Sequence, residues 1–149
     1  MTLHQQMQWE VENNVANLNG KNNKKVLGKD RKNDWQFTYN STSRNVIRMW
    51  WLTKFTTQMF FLLANEPDRK LSSIMSSSYS VGFSAHHAYA IQAVAQVAMK
   101  CVGKKDWLYG SLGIKPEEHE RFVMLHQNFA AVRDNIHATL VKFSIENLP

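Results

Sequence analysis

The sequence is poor in the residues that cross-link or break a backbone. A single cysteine, Cys101, excludes an intramolecular disulfide and a multi-cysteine zinc site, and it suits a reducing compartment, so a cytoplasmic location is the expectation. Three prolines and six glycines in 149 residues leave room for long helices and argue against a turn-rich sandwich or barrel. No run of about 18 apolar residues occurs. The opening Met1-Thr2-Leu3-His4-Gln5-Gln6 lacks the basic-then-apolar order of a signal peptide. There is no glycine-rich phosphate loop, no Gly-x-Ser-x-Gly elbow and no cysteine beside a convincing base. An enzyme reading therefore lacks a nucleophile, and no cofactor is expected. His86 and His87 are adjacent, so on a helix they point about 100° apart and cannot hold one ion, and no metal site is expected.

What is present is a core-forming composition, 44% hydrophobic with 11% aromatic residues, in a chain of ordinary single-domain length, so residues 1–149 are expected to form one domain. The net charge is +6, and residues 19–34 hold six bases (Lys21, Lys24, Lys25, Lys29, Arg31, Lys32) against Asp30 and Asp34, so this stretch alone supplies +4. It reads as a basic loop at about 19–40, rich in Asn, Gly and Lys. Such charge favours an anionic partner, but no helix-turn-helix spacing or stacking-sheet motif accompanies it, so nucleic acid is not expected.

Apolar residues recur at three- and four-residue spacing over 3–18, 43–64, 70–82, 85–102 and 116–145, which predicts five helices, with a short helical turn near 106–112 and an all-α fold. Ser41-Thr42-Ser43 supplies capping hydroxyls before the second helix, and Asn65-Glu66-Pro67 ends it. Ser84 is placed to cap the fourth, and Pro116 to open the last.

Several polar residues fall on these apolar faces. Arg44 and Arg48 share a stripe with Trp51, Leu52, Phe55, Met59 and Leu62. An isolated guanidinium taken from water costs several kcal/mol, so the pair either reaches solvent or a carboxylate such as Glu10 or Glu12, or meets a ligand anion that suits the planar fork. Glu10, Asn14 and Asn17 form a polar strip on the first helix, and His87 is in register with Ile91, Val94, Ala98 and Cys101, facing inward. A histidine on such a face is a satisfied core residue or a ligand contact. Three helices thus offer polar groups near one end of an apolar face, an arrangement suited to a polar mouth over an apolar interior.

The run Ser41-Thr42-Ser43-Arg44-Asn45-Val46-Ile47-Arg48-Met49-Trp50-Trp51-Leu52-Thr53-Lys54-Phe55, the stretch Tyr79 to Ile91 with Ala85-His86-His87-Ala88-Tyr89, then Ala98-Met99 and Trp107-Leu108-Tyr109-Gly110-Ser111-Leu112 resemble the glycolipid transfer protein family. The resemblance covers roughly residues 8–18 and 40–143. It implies an all-α, two-layer helical sandwich enclosing an apolar lipid pocket, and non-enzymatic movement of sphingolipid between membranes. The family's headgroup positions look like Glu10, Asn14, Arg44, Arg48 and His87 here. Arg at both 44 and 48 is similar to the members that take ceramide-1-phosphate, whereas Asn14 is similar to the sugar-binding type. The resemblance thus implies a phosphorylated sphingolipid ligand and a peripheral membrane surface as partners, with Phe55, Met59, Val94, Ala98, Phe122 and Phe129 as candidates to line the acyl pocket or serve as ordinary core. Tyr89, two residues after inward-facing His87, is the expected docking residue. Glu10 stands where the family has Asp, Asn17 where sugar-binding members have lysine, and the chain starts about one helix late, so a divergent member without the first helix is expected. The alternative is a helical lipid sensor or interaction protein that binds a membrane or partner without transferring lipid.

Overall fold

The computed structural model describes residues 1–18, 39–115 and 117–147. The charged residues expected in the basic loop, Lys21 to Asp34, and the helix-opening Pro116 lie outside the described residues. The elements are α1 (Leu3–Glu12), α2 (Thr42–Asn65), α3 (Leu71–Gly82), a 3₁₀ turn (Ser84–His86), α4 (Tyr89–Lys100), α5 (Lys105–Leu112) and α6 (Glu120–Lys142). Among the described residues there is no strand, in keeping with the all-α expectation. No helix is long and apolar enough to cross a membrane.

The chain divides into two compact units, residues 1–50 with 135–149, and residues 51–134. In the first, α1 opens with a reciprocal cap: Gln5 N donates to Thr2 Oγ1 at 3.2 Å, and Thr2 N donates to Gln5 Oε1 at 2.7 Å. The helix expected to reach residue 18 ends at Glu12. Asparagine is a poor helix former, and here Asn13 Nδ2 donates to Trp9 O at 2.8 Å while Asn14 turns left-handed at φ 56°. The chain then folds back, with Val15 N and Ala16 N donating to Glu10 O at 2.9 and 3.1 Å. Val15 and Leu18 remain buried with Met7, Val46, Ile47, Leu140 and Ile145.

In the second unit, Phe60, Leu62, Leu63, Ile74, Ile114 and Phe122 form the core with Met59, and Phe55, Leu125 and Phe129 pack against it. Gly82 lets α3 approach α2 closely: a Cβ there would lie 2.7 Å from Phe55 Cβ and 2.8 Å from Trp51 O. The helix expected over 85–102 is broken at His87 and Ala88, both extended. Ser84 does not cap it, since its hydroxyl donates to Ser80 O at 2.8 Å, and Gln92 Nε2 braces the break by donating to Ser84 O and His87 O at 2.9 and 2.8 Å. Gly113, left-handed at φ 64°, ends α5.

Candidate functional site

Glu10 is fully buried, near the end of α1. Its Oε1 accepts from Tyr39 Oη at 2.6 Å, Thr42 N at 2.7 Å and Gln6 Nε2 at 3.5 Å, and its Oε2 from Ser43 Oγ at 2.6 Å, Ser43 N at 2.8 Å and Ser41 Oγ at 3.0 Å. The carboxylate thus caps α2 from 32 residues away in sequence, by its bond to the amide of Thr42. Burial pushes its pKa up, but the Ser43 and Tyr39 hydroxyls and the Ser43 and Thr42 amides outweigh burial and hold it below the usual carboxylate value. Burial and the adjacent carboxylate push the Tyr39 phenol up to about 12. With six donors on two oxygens, the Glu10 lone pairs are engaged within the protein. Glu10, one of the expected headgroup residues, thus has a positioning role in the free chain.

Ser41 Oγ also bonds Ala16 O and accepts from Arg44 N at 3.2 Å, so the start of α2 is pinned to the turn after α1. Arg44 leaves this start only 8% exposed. Its Nη1 donates to Asn17 Oδ1 and to Asn17 O at 3.3 Å, and its buried Nε has no acceptor. Burial, then the charge of Arg48, lowers its pKa. Among the described residues neither arginine forms an ion pair with Glu10, Glu12 or any other carboxylate. Arg48 is exposed, its Nη1 3.4 Å from Asn45 Oδ1. Being one turn along the stripe it shares the direction of Arg44 but not its depth. Asn14 and Asn17 line a cavity of about 310 Å3 with Val11, Ala16, Phe143, Ser144 and Ile145. The structure therefore brings Glu10, Ser43, Arg44 and Asn17 together, leaves Arg48 at the surface, and moves Asn14 from the expected helical strip into a turn. Tyr39, Ser41, Ser43 and the Asn17 carbonyl were missed as site-builders; only the hydroxyl cluster before α2 signalled any of them.

The second unit holds His87, whose Nδ1 lies 2.7 Å from Tyr79 Oη and whose ring stacks on Phe83 at 5.6 Å. His86 stacks instead on Trp51, with centroids 4.0 Å apart, and burial, Lys54 and His87 lower its pKa. His87 sits before α4, so it is not in helical register with Ile91, Val94, Ala98 and Cys101. That register was expected to face inward, but α4 buries no residue: Val94 is 70% exposed and Ala98 is exposed, because α4 packs mainly on α3 along one side. Val94 and Ala98 are thus not enclosed as pocket candidates, whereas Met59 and Phe122 are buried and Phe55 and Phe129 are half-buried against the same core. Tyr89 is 85% exposed at the start of α4. Among the described residues no three His, Cys, Asp or Glu side chains are grouped to hold a metal ion.

No curated protein matches the sequence. In fold, the chain is similar to the crystal structure of human ceramide-1-phosphate transfer protein in complex with 12:0 ceramide-1-phosphate, with a TM-score of 0.76 at 16% identity. The likeness, which is one of fold, covers 99% of this chain and 66% of that chain, so the present chain spans a little under two thirds of its length. The glycolipid transfer protein (GLTP) family profile matches residues 1–114. By that match, over most of its 149 residues, the chain belongs to the glycolipid transfer protein family.

Proposed function

We propose that the protein binds a sphingolipid and moves it between membranes without chemistry, as one lipid-binding domain, with ceramide-1-phosphate favoured over neutral glycosphingolipid. Family membership supports lipid binding, and one observation supports the phosphate: Arg44 is buried, carries an unpartnered Nε and forms no ion pair with a carboxylate among the described residues. A desolvated guanidinium without a counter-ion costs several kcal/mol, and a phosphate monoester, with one to two negative charges at neutral pH, is the group that offsets this. A neutral sugar does not. Arg44 supplies the fixed half of the clamp and exposed Arg48, one turn on, the mobile half. Asn14 supplements the headgroup contacts, and Glu10 holds the start of α2 on which Arg44 stands. His87 enters as donor to the ceramide carbonyl. A Tyr79 hydroxyl donating to its Nδ1 leaves Nε2–H free to do so.

In the same proposal the acyl chain is taken up beside Phe55 and Phe129, the half-buried edge of a core that includes Met59 and Phe122, with Val94 and Ala98 on the exposed side of α4. The protein works in the cytoplasm in transient contact with membranes, docking through Tyr89. Neither a catalytic role nor nucleic-acid binding belongs to this reading. Vesicle-to-vesicle transfer assays with ceramide-1-phosphate and galactosylceramide, together with mass spectrometry of co-purified lipid, test it: the phosphorylated lipid is expected to dominate both, and equal uptake of the two overturns the phosphate assignment. One observation favours a second reading, a sensor that binds membranes without extracting lipid. Tyr89, Ile91, Val94 and Val97 of α4 are all more than half exposed, and vesicle binding without transfer would select that reading.

A further inference from the structure

The second unit contains a cavity of about 480 Å3 where the loop after α2 meets the loop before α5. Its lining brings together Arg69, Lys70, Lys104 and Lys105 against one acid, Asp68. Two of these cations are committed within the protein. Arg69 pairs with Glu66 at 3.0 Å and donates to Ser73 Oγ at 2.9 Å and to Ser77 Oγ. Lys105 Nζ lies 3.4 Å from Glu66 O and also bonds Pro67 O. The other two, Lys70 and Lys104, are exposed side chains, and no hydrogen bond or ion pair among the described residues occupies their ammonium groups.

We infer that this cavity is a binding site for a phosphate-class oxyanion, carried either by a lipid headgroup or by a free phosphate, with Lys70 and Lys104 as its two charged donors. The sign follows from four bases converging with a single acid on one concave surface, where like charges reinforce one another and raise the local concentration of anions. The class follows from number and size. Two free ammonium groups match a group carrying up to two negative charges, and a cavity of this volume exceeds what one carboxylate fills. The backbone adds in the same direction. Lys70 and Lys104 are also the N-cap residues of α3 and α5, both extended and neither offering a side-chain cap, so the first-turn amides of two helices lie at the cavity without a side-chain acceptor. Burial lowers the Lys105 pKa, against the opposing charge of Asp68. The site uses none of the residues proposed for sphingolipid and does not rest on that reading.

The full chain is titrated with inorganic phosphate by calorimetry, and its recruitment to phosphatidylcholine vesicles with and without phosphatidic acid is measured by flotation. Saturable binding of phosphate, of phosphatidic acid vesicles or of both is expected. Lys70→Ala with Lys104→Ala should weaken it at least about tenfold, the scale of one charge-assisted bond. Lys100→Ala, which removes an exposed lysine outside the cavity, should leave it unchanged, and Lys70→Arg with Lys104→Arg should retain it. Phosphate binding without vesicle recruitment identifies a soluble ligand; recruitment lost in the double alanine variant identifies a lipid headgroup. No saturable binding of either probe, or an equal loss in Lys100→Ala, overturns the inference.

Discussion

Replacing Glu10 by glutamine conserves shape and removes charge, and the structure specifies what that costs. One carboxylate oxygen accepts from Thr42 N and the other from Ser43 N, at 2.7 and 2.8 Å. Whichever way a glutamine amide is turned, its NH₂ therefore faces a backbone N–H. The hydroxyls of Tyr39, Ser41 and Ser43 can rotate to become acceptors, but a peptide amide cannot, so one buried donor is stranded. Stranding it costs about 1–3 kcal/mol, and loss of the negative charge at the start of α2 adds roughly 0.3–1 kcal/mol, giving about 1–4 kcal/mol for Glu10→Gln. Against a typical total of about 5–15 kcal/mol this is a large fraction. Urea unfolding followed by far-ultraviolet circular dichroism should show the midpoint falling with the slope unchanged. The pH dependence checks the cause. Because the folded pKa of Glu10 lies below the unfolded value near 4.5, its contribution is complete above that value and is lost as pH falls through the folded pKa. The gap between wild type and Glu10→Gln should therefore narrow as pH drops below about 4.5. A loss under about 0.5 kcal/mol at pH 7, or a gap indifferent to pH, would refute the cap.

Gly82→Ala places a methyl 2.7 Å from Phe55 Cβ, where neither backbone can yield cheaply, and should destabilise by about 1–3 kcal/mol in the same unfolding assay. Arg48→Leu should lower ceramide-1-phosphate binding roughly tenfold to a hundredfold with the melting temperature unchanged, since Arg48 is exposed; a loss of stability without a loss of phosphate-lipid selectivity would point to a structural role. Arg44→Leu should reduce binding in the same direction, and removal of a buried charge that forms no ion pair among the described residues should leave stability equal or higher, as calorimetry can read. Tyr89→Ala should weaken partition onto vesicles while leaving the fold intact, and unchanged partition and transfer would reject Tyr89 as the docking residue.

The parts of the fold most legible in the sequence are those where apolar spacing and a stop signal coincide. Residues 43–64 and 70–82 were expected to be helical, and the structure has Thr42–Asn65 and Leu71–Gly82, the first ended by Asn65-Glu66-Pro67. Where spacing stood alone it reported burial rather than conformation. Val15 and Leu18 continue the stripe of α1 and are buried, yet the helix has already ended and a left-handed Asn14 carries the chain onward. In α4 the error is the reverse. The periodic face Ile91, Val94, Ala98 and Cys101 is helical over most of its length and exposed, because a pattern of apolar residues does not state what covers it. The inward direction of Arg44 was readable from its helical position. The exposure of Arg48 was not, since depth along a stripe depends on where the covering residues end. The cap from Glu10 was invisible for a simpler reason: its donors lie about thirty residues away, beyond any local spacing rule.

That long-range cap also explains how two arginines can remain available to an anion when an acid is buried close by in sequence-distant contact with the same helix start. A free Glu10 carboxylate would be the natural counter-ion for Arg44. Instead its two oxygens are consumed by the amides and hydroxyls of residues 41–43 with Tyr39 and Gln6, so its charge is balanced against the positive end of α2 rather than against the guanidinium. Arg44 is then held by the neutral oxygens of Asn17, which orient it without cancelling its charge, and the charge that acts on it is the like charge of Arg48. The negative group is thereby given to positioning, and in the proposed function the positive pair is left to bind. A carboxylate one methylene shorter, as Glu10→Asp provides, would test this division. It should slacken the bonds to Thr42 and Ser43, leave a carboxylate oxygen able to turn toward Arg44, and so lower both stability and anion affinity together. Loss of stability with undiminished affinity for phosphorylated lipid would show that the two charges are not partitioned in this way.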